Sequence, residues 1–485
     1  MKEKLDQTHP DYDKALSRWE FISDAIEGEQ AIKARGETYL PKTPGMLSQD
    51  AQCNIVSLRD AGEGLALKKA SNTRYDNYKM RAEFPEKVSP ACDAAVGFFT
   101  DKDAAVEFPA QWEPVLESAT PEADTVWDLH RIVSGMVAQK GRCALWADVH
   151  GDGGLKGLPY WVAYKAEEVI NWSETVIGGQ RVLDRIVFKT VDLENGEEVK
   201  TLTRATLTET GVMVERWRKA KDDDDWRSVD VQQPRSARSD MGEMVKNEDG
   251  TVAGFRLRRI PVQFINADGL RPQVGKIPFL PLAAQCLKVY RMDANYQEAL
   301  SFYEPTPFIS GLTEEWIDGG HAPTSFGAGA VWYGPAGSDA KMLEYTGPSI
   351  ENQRVAIQDA MQRADELSMK PFEPKLVSVE SGDAKKQRTK TQTSAAKVMA
   401  QHVGSGIQKI MRFSGEWLGQ DPEKIIFEPS YDFIEAVMDW QTAQTLFAIQ
   451  QAGGISARSL HENYQRGGIT EKSFEEEREL IGKGE

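Results

Sequence analysis

Apolar positions recur at three- and four-residue steps along two stretches in the second half of the chain. Leu282, Cys286, Val289, Met292, Tyr296, Leu300 and Tyr303 share one face, which predicts a helix over about 280–303. Glu304-Pro305-Thr306-Pro307 ends it, because proline lacks the N–H that the helical ladder needs. From Phe308 to Pro348, Gly and Pro alternate with aromatics such as Trp316, Phe326, Trp332 and Tyr333, a pattern of short strands and turns. A second helix is predicted over about 350–369, with Ile350, Ile357, Met361, Ala364 and Leu367 on one side. At ~1.5 Å per residue each helix is about 30 Å long. Two such helices leaving a body together, joined by a small β excursion, make a stalk with a tip. The polar stretch Glu373–Thr393 then predicts a loop. A third helix follows over about 394–418, carrying Met399, Val403, Ile407, Ile410, Ser414 and Trp417.

The first half reads differently. Leu16, Trp19, Ile22 and Ile26 give an amphipathic helix over 11–34, followed by extended chain at Tyr39–Lys42. Helical spacing returns from Ser71 to Phe99. Thr120-Pro121 offers an N-cap and first helical residue for the stripe Val126, Leu129, Val133 and Val137, and Gly141 a stop. Cys143–Val149 reads as a strand. Residues 158–265 hold β-rich runs between turn signals at Gly178-Gly179, Asn195-Gly196, Gly211 and Asp249-Gly250, which predicts an antiparallel meander with Arg235–Gly250 as a disordered loop. At the C-terminal end, Phe433, Val437, Trp440 and Phe447 form a stripe that Gly453-Gly454 breaks. Ser456 can cap a short helix, and the tail from Glu471 onward is acidic. The fold class is α+β.

Length and charge narrow the picture. At 485 residues the chain is long enough for about three domain-sized units. No apolar run reaches the ~20 residues that cross a bilayer, and Met1–Asp6 lacks the apolar core of a secretory signal. Synthesis in the cytoplasm, with no membrane partner, is the expectation. Cys53, Cys92, Cys143 and Cys286 lie far apart and read as free thiols. The formal charge of −17, from 75 acids against 58 bases, opposes any tight grip on a polyanion.

Catalytic chemistry is sought and not found. Gly275-Lys276-Ile277 and Gly482-Lys483-Gly484 lack the frame of a phosphate-binding P-loop, and Gly327-Ala328-Gly329 lacks the third glycine of a dinucleotide loop. The run Asp222–Asp225 lacks EF-hand spacing and reads as a solvated hairpin tip. Six scattered histidines form no metal signature; His402, near the buried stripe of its helix, reads as packed or capping. There is no G-x-S-x-G elbow. Gly453-Gly454-Ile455-Ser456 could join a helix-turn-helix, but its surroundings are acidic where a groove reader is basic. The one dense basic run is Lys385, Lys386, Arg388 and Lys390. No catalytic residue, metal or cofactor is expected, and the chain is read as not an enzyme.

The order of elements resembles the portal, or head-to-tail connector, proteins of tailed bacteriophages. The likeness begins at Trp19–Lys42 (WEFISDAIEGEQAIKARGETYLPK) and runs through Tyr75–Val96, Lys140–Val149 and Tyr160–Trp172 (YWVAYKAEEVINW). It continues with Ile260-Pro261-Val262 ahead of the stalk and ends in Phe433 to Ser456 and the Glu-rich tail, spanning nearly all of 11–480. Each motif is a packing pattern; the collinear set is what is specific. The resemblance implies a homo-oligomeric ring, usually twelve-fold, at one capsid vertex of the virion. Double-stranded DNA would pass through it without sequence specificity during packaging and ejection.

On that reading an α/β wing covers 1–275 and the two-helix stem 276–303 and 350–372. A small β-rich clip occupies 304–349, a tunnel loop with its long helix 373–419, and a helical crown 420–485. Val289, Tyr296, Leu300, Ile357 and Met361 would pack the stem and the subunit interface. Trp316, Phe326, Trp332 and Tyr333 would form the clip surface where the terminase large subunit and later a head-tail adaptor dock. Lys385, Lys386, Arg388 and Lys390 would line the DNA channel, and the major capsid protein would surround the ring. The competing readings are a metal-dependent nuclease or hydrolase built on dispersed acids such as Glu167-Glu168 and Glu314-Glu315, and a smaller head-tail adaptor.

Overall fold

The computed structural model describes residues 5–57, 61–151, 153–194, 196–220, 225–238, 244–246, 252–303, 306–319, 334–343, 349–368, 382–430, 440–466, 469–470 and 472–483. The chain opens with α1 (Pro10–Glu27) and α2 (Glu29–Ala34), a single amphipathic stretch broken at Gly28. The φ of +102° at Gly28 is one that side-chain-bearing residues rarely adopt. α3 (Pro44–Ser57), α4 (Ala61–Arg81) and α5 (Val88–Phe99) follow. The apolar spacing did not predict α3, since its residues alternate too irregularly to make a clear stripe. Next come β1 (Ala105–Glu107), α6 (Val126–Lys140), β2 (Arg142–Val149) and β3 (Pro159–Lys165).

The predicted meander is β4 (Val169–Ile177), β5 (Gln180–Glu194), β6 (Glu197–Thr208), β7 (Gly211–Ala220) and β8 (Arg227–Gln232), joined antiparallel in that order. Three short strands, β9 (Arg235–Ser236), β10 (Met244–Lys246) and β11 (Val252–Arg256), form their own sheet, and β12 (Val262–Asn266) follows. The second half holds α7 (Leu280–Tyr303), β13 (Thr306–Ser310), α8 (Glu314–Asp318), β14 (Asp339–Leu343) and α9 (Ser349–Leu367). Then come α10 (Gly382–Leu418), β15 (Ile426–Glu428), α11 (Trp440–Gln451), α12 (Ala457–Arg466) and α13 (Phe474–Lys483).

These elements fall into two compact units, one made of Met1–Asp13, Ala94–Ile277 and Val377–Glu485, the other of Lys14–Asp93 and Pro278–Leu376. Residues 14–93, continuous in sequence with 94–275, thus group with the α7–α9 region instead.

The core of the first unit is the antiparallel sheet β12-β2-β3 with α6 and α10 against it. The central strand β2 is buried from Arg142 through Ala147, as a middle strand covered on both faces must be. α10 comes close because Gly406 has no side chain: a Cβ there would lie 2.5 Å from Cγ1 of the buried Ile265. Trp161 Nε1 donates to Ser414 Oγ at 3.1 Å, and that hydroxyl donates on to the Ile410 carbonyl at 3.0 Å, so both buried polar groups are satisfied. The meander meets β2 and β3 through Phe188, which stacks on Tyr164 at 4.0 Å and stands edge-on to Trp146 at 5.8 Å. β1 pairs with β15, tying residue 105 to 428.

Two expectations need correction here. The N-cap of α6 is Thr125, not Thr120: its hydroxyl accepts from Asp128 N–H at 3.1 Å, and Asp128 reciprocates in a capping box. Thr120 instead binds Asp124 through its hydroxyl, which is the turn before the helix. Arg235–Gly250 is not loop throughout, because Arg235–Ser236 and Met244–Lys246 pair with β11. Trp417 Nε1 also donates to the Arg235 carbonyl at 2.7 Å, holding that segment down. Gly141 does end α6, in the left-handed conformation at φ 73°, and a Cβ there would collide with the Lys276 backbone.

The second unit is mostly helical. Its buried residues come from α1 (Trp19, Ile22), α4 (Tyr75, Tyr78), α7 and the extended piece around Phe84. A buried carboxylate, Asp24, accepts both Arg35 Nε (2.8 Å) and Nη2 (3.0 Å), and the Tyr39 hydroxyl at 2.5 Å. That network fixes the turn after α2, and the Tyr39 carbonyl in turn accepts Arg291 Nε of α7 at 2.7 Å.

Candidate functional site, a helix pair with a distal hairpin

The helices expected over 280–303 and 350–369 are α7 and α9, and they lie side by side. Between them the chain makes an antiparallel hairpin, β13 with β14, in which Phe308 faces Lys341 in register. The short helix α8 sits inside this excursion, capped by the Thr313 hydroxyl.

The lower part of α7 is buried on two faces. Leu282, Cys286 and Val289 belong to the predicted stripe, while Ala283, Tyr290 and Ala294 form a second one that the sequence reading missed. Spacing alone carried it: 283, 290 and 294 are steps of seven and four, on a face turned from the first. This second face exists because α4 and the 82–87 segment also contact α7. Phe84 meets Tyr290 edge-on at 6.2 Å, and Tyr78 donates its hydroxyl to Asn295 Oδ1 at 2.8 Å. Burial pushes the Tyr78 pKa up to about 12, so it remains a donor. Arg74 holds Glu298 at 3.0 Å, and Glu83 N–H donates to Asp293 at 2.9 Å. Across the pair, Gln285 Nε2 donates to the Ala360 carbonyl at 2.8 Å, and from the 82–87 segment Lys87 Nζ meets Asp365 of α9 at 2.5 Å. The Cys286 thiol is pushed up to about 11 by burial, which rules it out as a reactive thiolate at neutral pH.

Toward the hairpin the burial fades. Tyr296 and Leu300 of α7, and Ile357 and Met361 of α9, are only half-buried, whereas Val289 is 2% exposed. On α9 the fully buried positions are the small ones, Ala360 and Ala364; Leu367, expected on the stripe, is 46% exposed, and Ser368 is buried instead. Ser368, not Leu367, continues the line from Ile357 through Ala364. Of the tip aromatics, Trp316 is half-buried on α8, and Phe326, Trp332 and Tyr333 lie outside the described residues. Phe308 and Ile317, not singled out from the sequence, are each about half exposed, at 51% and 50%.

The polar stretch differs most from expectation. Residues 373–381 lie outside the described residues, but from Gly382 the chain is already helical, so Lys385, Lys386, Arg388 and Lys390 stand on the opening turns of the 37-residue α10, not in a loop. Lys, Gln, Arg and Ala are good helix formers, so a polar run without an apolar stripe is still compatible with helix. In the C-terminal region, 431–439, with Phe433 and Val437, lie outside the described residues, and Phe447 is 47% exposed. Ser456 does cap α12, accepting Ser459 N–H at 3.0 Å. His402 is half-buried on α10. Asp222–Asp224 lie outside the described residues, and Glu167 of the adjacent acid pair binds Lys140 at 2.5 Å. Among the described residues, no three His, Cys, Asp or Glu side chains gather as a metal site. No described helix is long and apolar enough to cross a membrane.

Residues 278–418, less than a third of the chain, match a family model described as Domain of unknown function (DUF4055). The match takes in the helix pair, the hairpin between it and all of α10. No match was found among curated proteins. Among solved structures, a chain of the "Neck of empty GTA particle computed with C6 symmetry" aligns with 79% of this chain and 89% of its own length, at 12% identity and a TM-score of 0.37. A chain of the "Neck of native GTA particle computed with C12 symmetry" aligns with 77% of this chain and 88% of its own length, at 13% identity and a TM-score of 0.35.

Proposed function

We propose that the chain is a structural subunit of a phage-like particle, a portal-type head-to-tail connector that assembles into a ring around a DNA channel at one capsid vertex. The observation that carries this reading is the excursion α7–β13–α8–β14–α9 followed by the long α10. That is the order in which a stem, a clip and a channel helix follow one another in the portal proteins the sequence resembles. α7 is anchored at its lower half and loses burial toward the hairpin, as expected of a stem helix whose outer half meets neighbouring copies. Val289 belongs to the anchored half; Tyr296, Leu300, Ile357 and Met361 are the residues proposed to complete the contact between subunits. The hairpin side with the exposed Phe308 and Ile317 and the half-buried Trp316 is the proposed docking surface for the packaging motor and then a head-tail adaptor. Lys385, Lys386, Arg388 and Lys390 are the proposed DNA contacts, standing on helical turns. In a ring of subunits each at −17, a few bases along the channel would give a light, salt-screened hold on a sliding duplex rather than a grip.

Solution mass and negative-stain imaging of the purified full chain test this. The expected result is a ring with a central channel and a mass near twelve times 54.1 kDa. A chain that stays monomeric at high protein concentration and at capsid-assembly salt overturns it.

A further inference from the structure

The first unit holds a cavity of about 810 Å³ between the β4–β5 hairpin and the segment that surrounds β12. Its charged lining is one-sided: Arg181, Arg259 and Arg271 against a single carboxylate, Glu174, which already accepts Gln273 Nε2 at 2.9 Å. None of the three guanidiniums forms an ion pair among the described residues. In a chain carrying 75 acids to 58 bases, three arginines without an ion pair on one concave wall stand out. Arg259, exposed to solvent, lies with its guanidinium 4.9 Å from the Phe413 ring centre, with Glu416 near enough to favour its charge.

A fourth positive charge stands behind this wall. Arg142, 1% exposed, is sandwiched between Trp172 at 4.0 Å and Phe264 at 4.6 Å, and His9 stacks on Trp172 at 4.1 Å. Its Nη2 donates to the Pro272 carbonyl at 2.5 Å, while Nε and Nη1 have no hydrogen-bond partner among the described residues. Phe264 and Pro272 both line the cavity. Burial lowers the Arg142 pKa to about 9, which still leaves it charged at neutral pH. A buried charge with no counter-charge is costly, and the low-dielectric wall between it and the cavity screens its field poorly.

We propose that this cavity binds the phosphate groups of a compact anion, a diphosphate-bearing small molecule, with Arg181, Arg259 and Arg271 as its ligands and Arg142 as the buried charge that biases the site. Planar guanidiniums match the oxygens of phosphate in pairs. The volume lies within the range of small-molecule sites, and its concavity suits a compact ligand; the rod of a duplex does not enter it. The negative charge of the whole chain also works against an extended polyanion and less against a compact one. This inference stands independently of the ring assignment.

Titration calorimetry on the full-length protein with inorganic pyrophosphate tests it, at physiological salt. One site per chain is expected, weakened at least tenfold in the double variant Arg181→Gln/Arg271→Gln. Neither side chain takes part in the core, so circular dichroism and the melting temperature of that variant should match wild type. Equal affinity in wild type and variant, or no saturable binding at millimolar pyrophosphate, overturns the proposal. Displacement of bound pyrophosphate by a short DNA duplex overturns the small-molecule ligand and shows a phosphodiester surface in its place; resistance to the duplex supports the compact ligand.

Discussion

α9 and α10 are both amphipathic helices with an apolar stripe legible in the sequence, and they bury very different amounts of it. From Ala396 onward, α10 buries Ala396, Ala400, Val403, Ile407, Ile410, Met411, Phe413 and Trp417, more than a single face. It can do so because β12, β2, α6 and β15 all contact it. α9 buries only Ala360 and Ala364 fully, leaves Ile357 and Met361 half-covered, and exposes Val355 at 44%. Its main neighbour is α7. The lesson is that a stripe does not report how much of it one chain covers. One helix is core within its own unit, and the other has apolar surface left for something else.

The largest effect should come from cutting matched side chains on the two helices. Ile407→Ala on α10 is expected to cost about 2–5 kcal/mol, the range for removing a fully buried isoleucine and leaving a cavity. Ile357→Ala on α9 should cost less, about 1–2 kcal/mol, since that side chain already meets solvent in part and its loss leaves no closed cavity. Urea unfolding of the full chain, followed by circular dichroism and tryptophan fluorescence, measures both. Similar losses would erase the distinction between the helices.

A second effect sharpens the α10 side through pH. His130 on α6 is buried edge-on against Phe427 of β15 at 5.3 Å, with Nε2 lacking a partner among the described residues. Burial, with Arg131 nearby, lowers its pKa from 6.5 to about 4. Between those values the unfolded chain takes up a proton that the folded one refuses. Stability is therefore fully present above pH 6.5, falls as the pH drops toward 4 and levels off below it. The total is ~3 kcal/mol at most. In His130→Leu that part of the slope should vanish, and the difference between the two stability curves from pH 7 to 4 isolates it from the other carboxylates. Parallel curves would show that His130 titrates normally and that the α6–α10–β15 layer is wet.

How much of this was legible beforehand follows the same division. Helices α7 and α9, the meander and the left-handed stop at Gly141 could be read, because periodicity, turn pairs and proline each act within a few residues. The second face of α7, with Tyr290 and Ala294, could not be assigned a partner, since its cover comes from residues about 200 positions away. The start of α10 was misread for another reason: Lys385 to Lys390 carry no stripe, and a helix without one is invisible to a reading built on burial. The cap at Thr125 was missed in favour of Thr120 because both precede a helix-compatible stretch, and only the Asp128 partner distinguishes them. The arginine-lined cavity gave no local signal at all, since Arg142, Arg181, Arg259 and Arg271 come together only through sheet pairing.

The smallest expected effect on stability is also the sharpest test of what α9 is for. Met361 is half-buried beside α7, close enough to the helix surface for a longer chain to turn outward. Lysine at that position keeps an unbranched aliphatic stem against the same neighbours and carries its ammonium to solvent. Met361→Lys should therefore change the unfolding free energy of the isolated chain by only a few tenths of a kcal/mol, within the usual spread for surface changes. In an assembly the outcome differs. If the uncovered side of α9 meets a second copy, the charge loses its water at a packed contact, and its copies around the ring repeat the cost at every interface. A chain as stable as wild type that no longer forms rings, by solution mass and negative stain, is the expected result. Rings of normal mass from Met361→Lys would show that this side of α9 faces solvent in the assembly, and the subunit contact would have to be sought elsewhere on the chain.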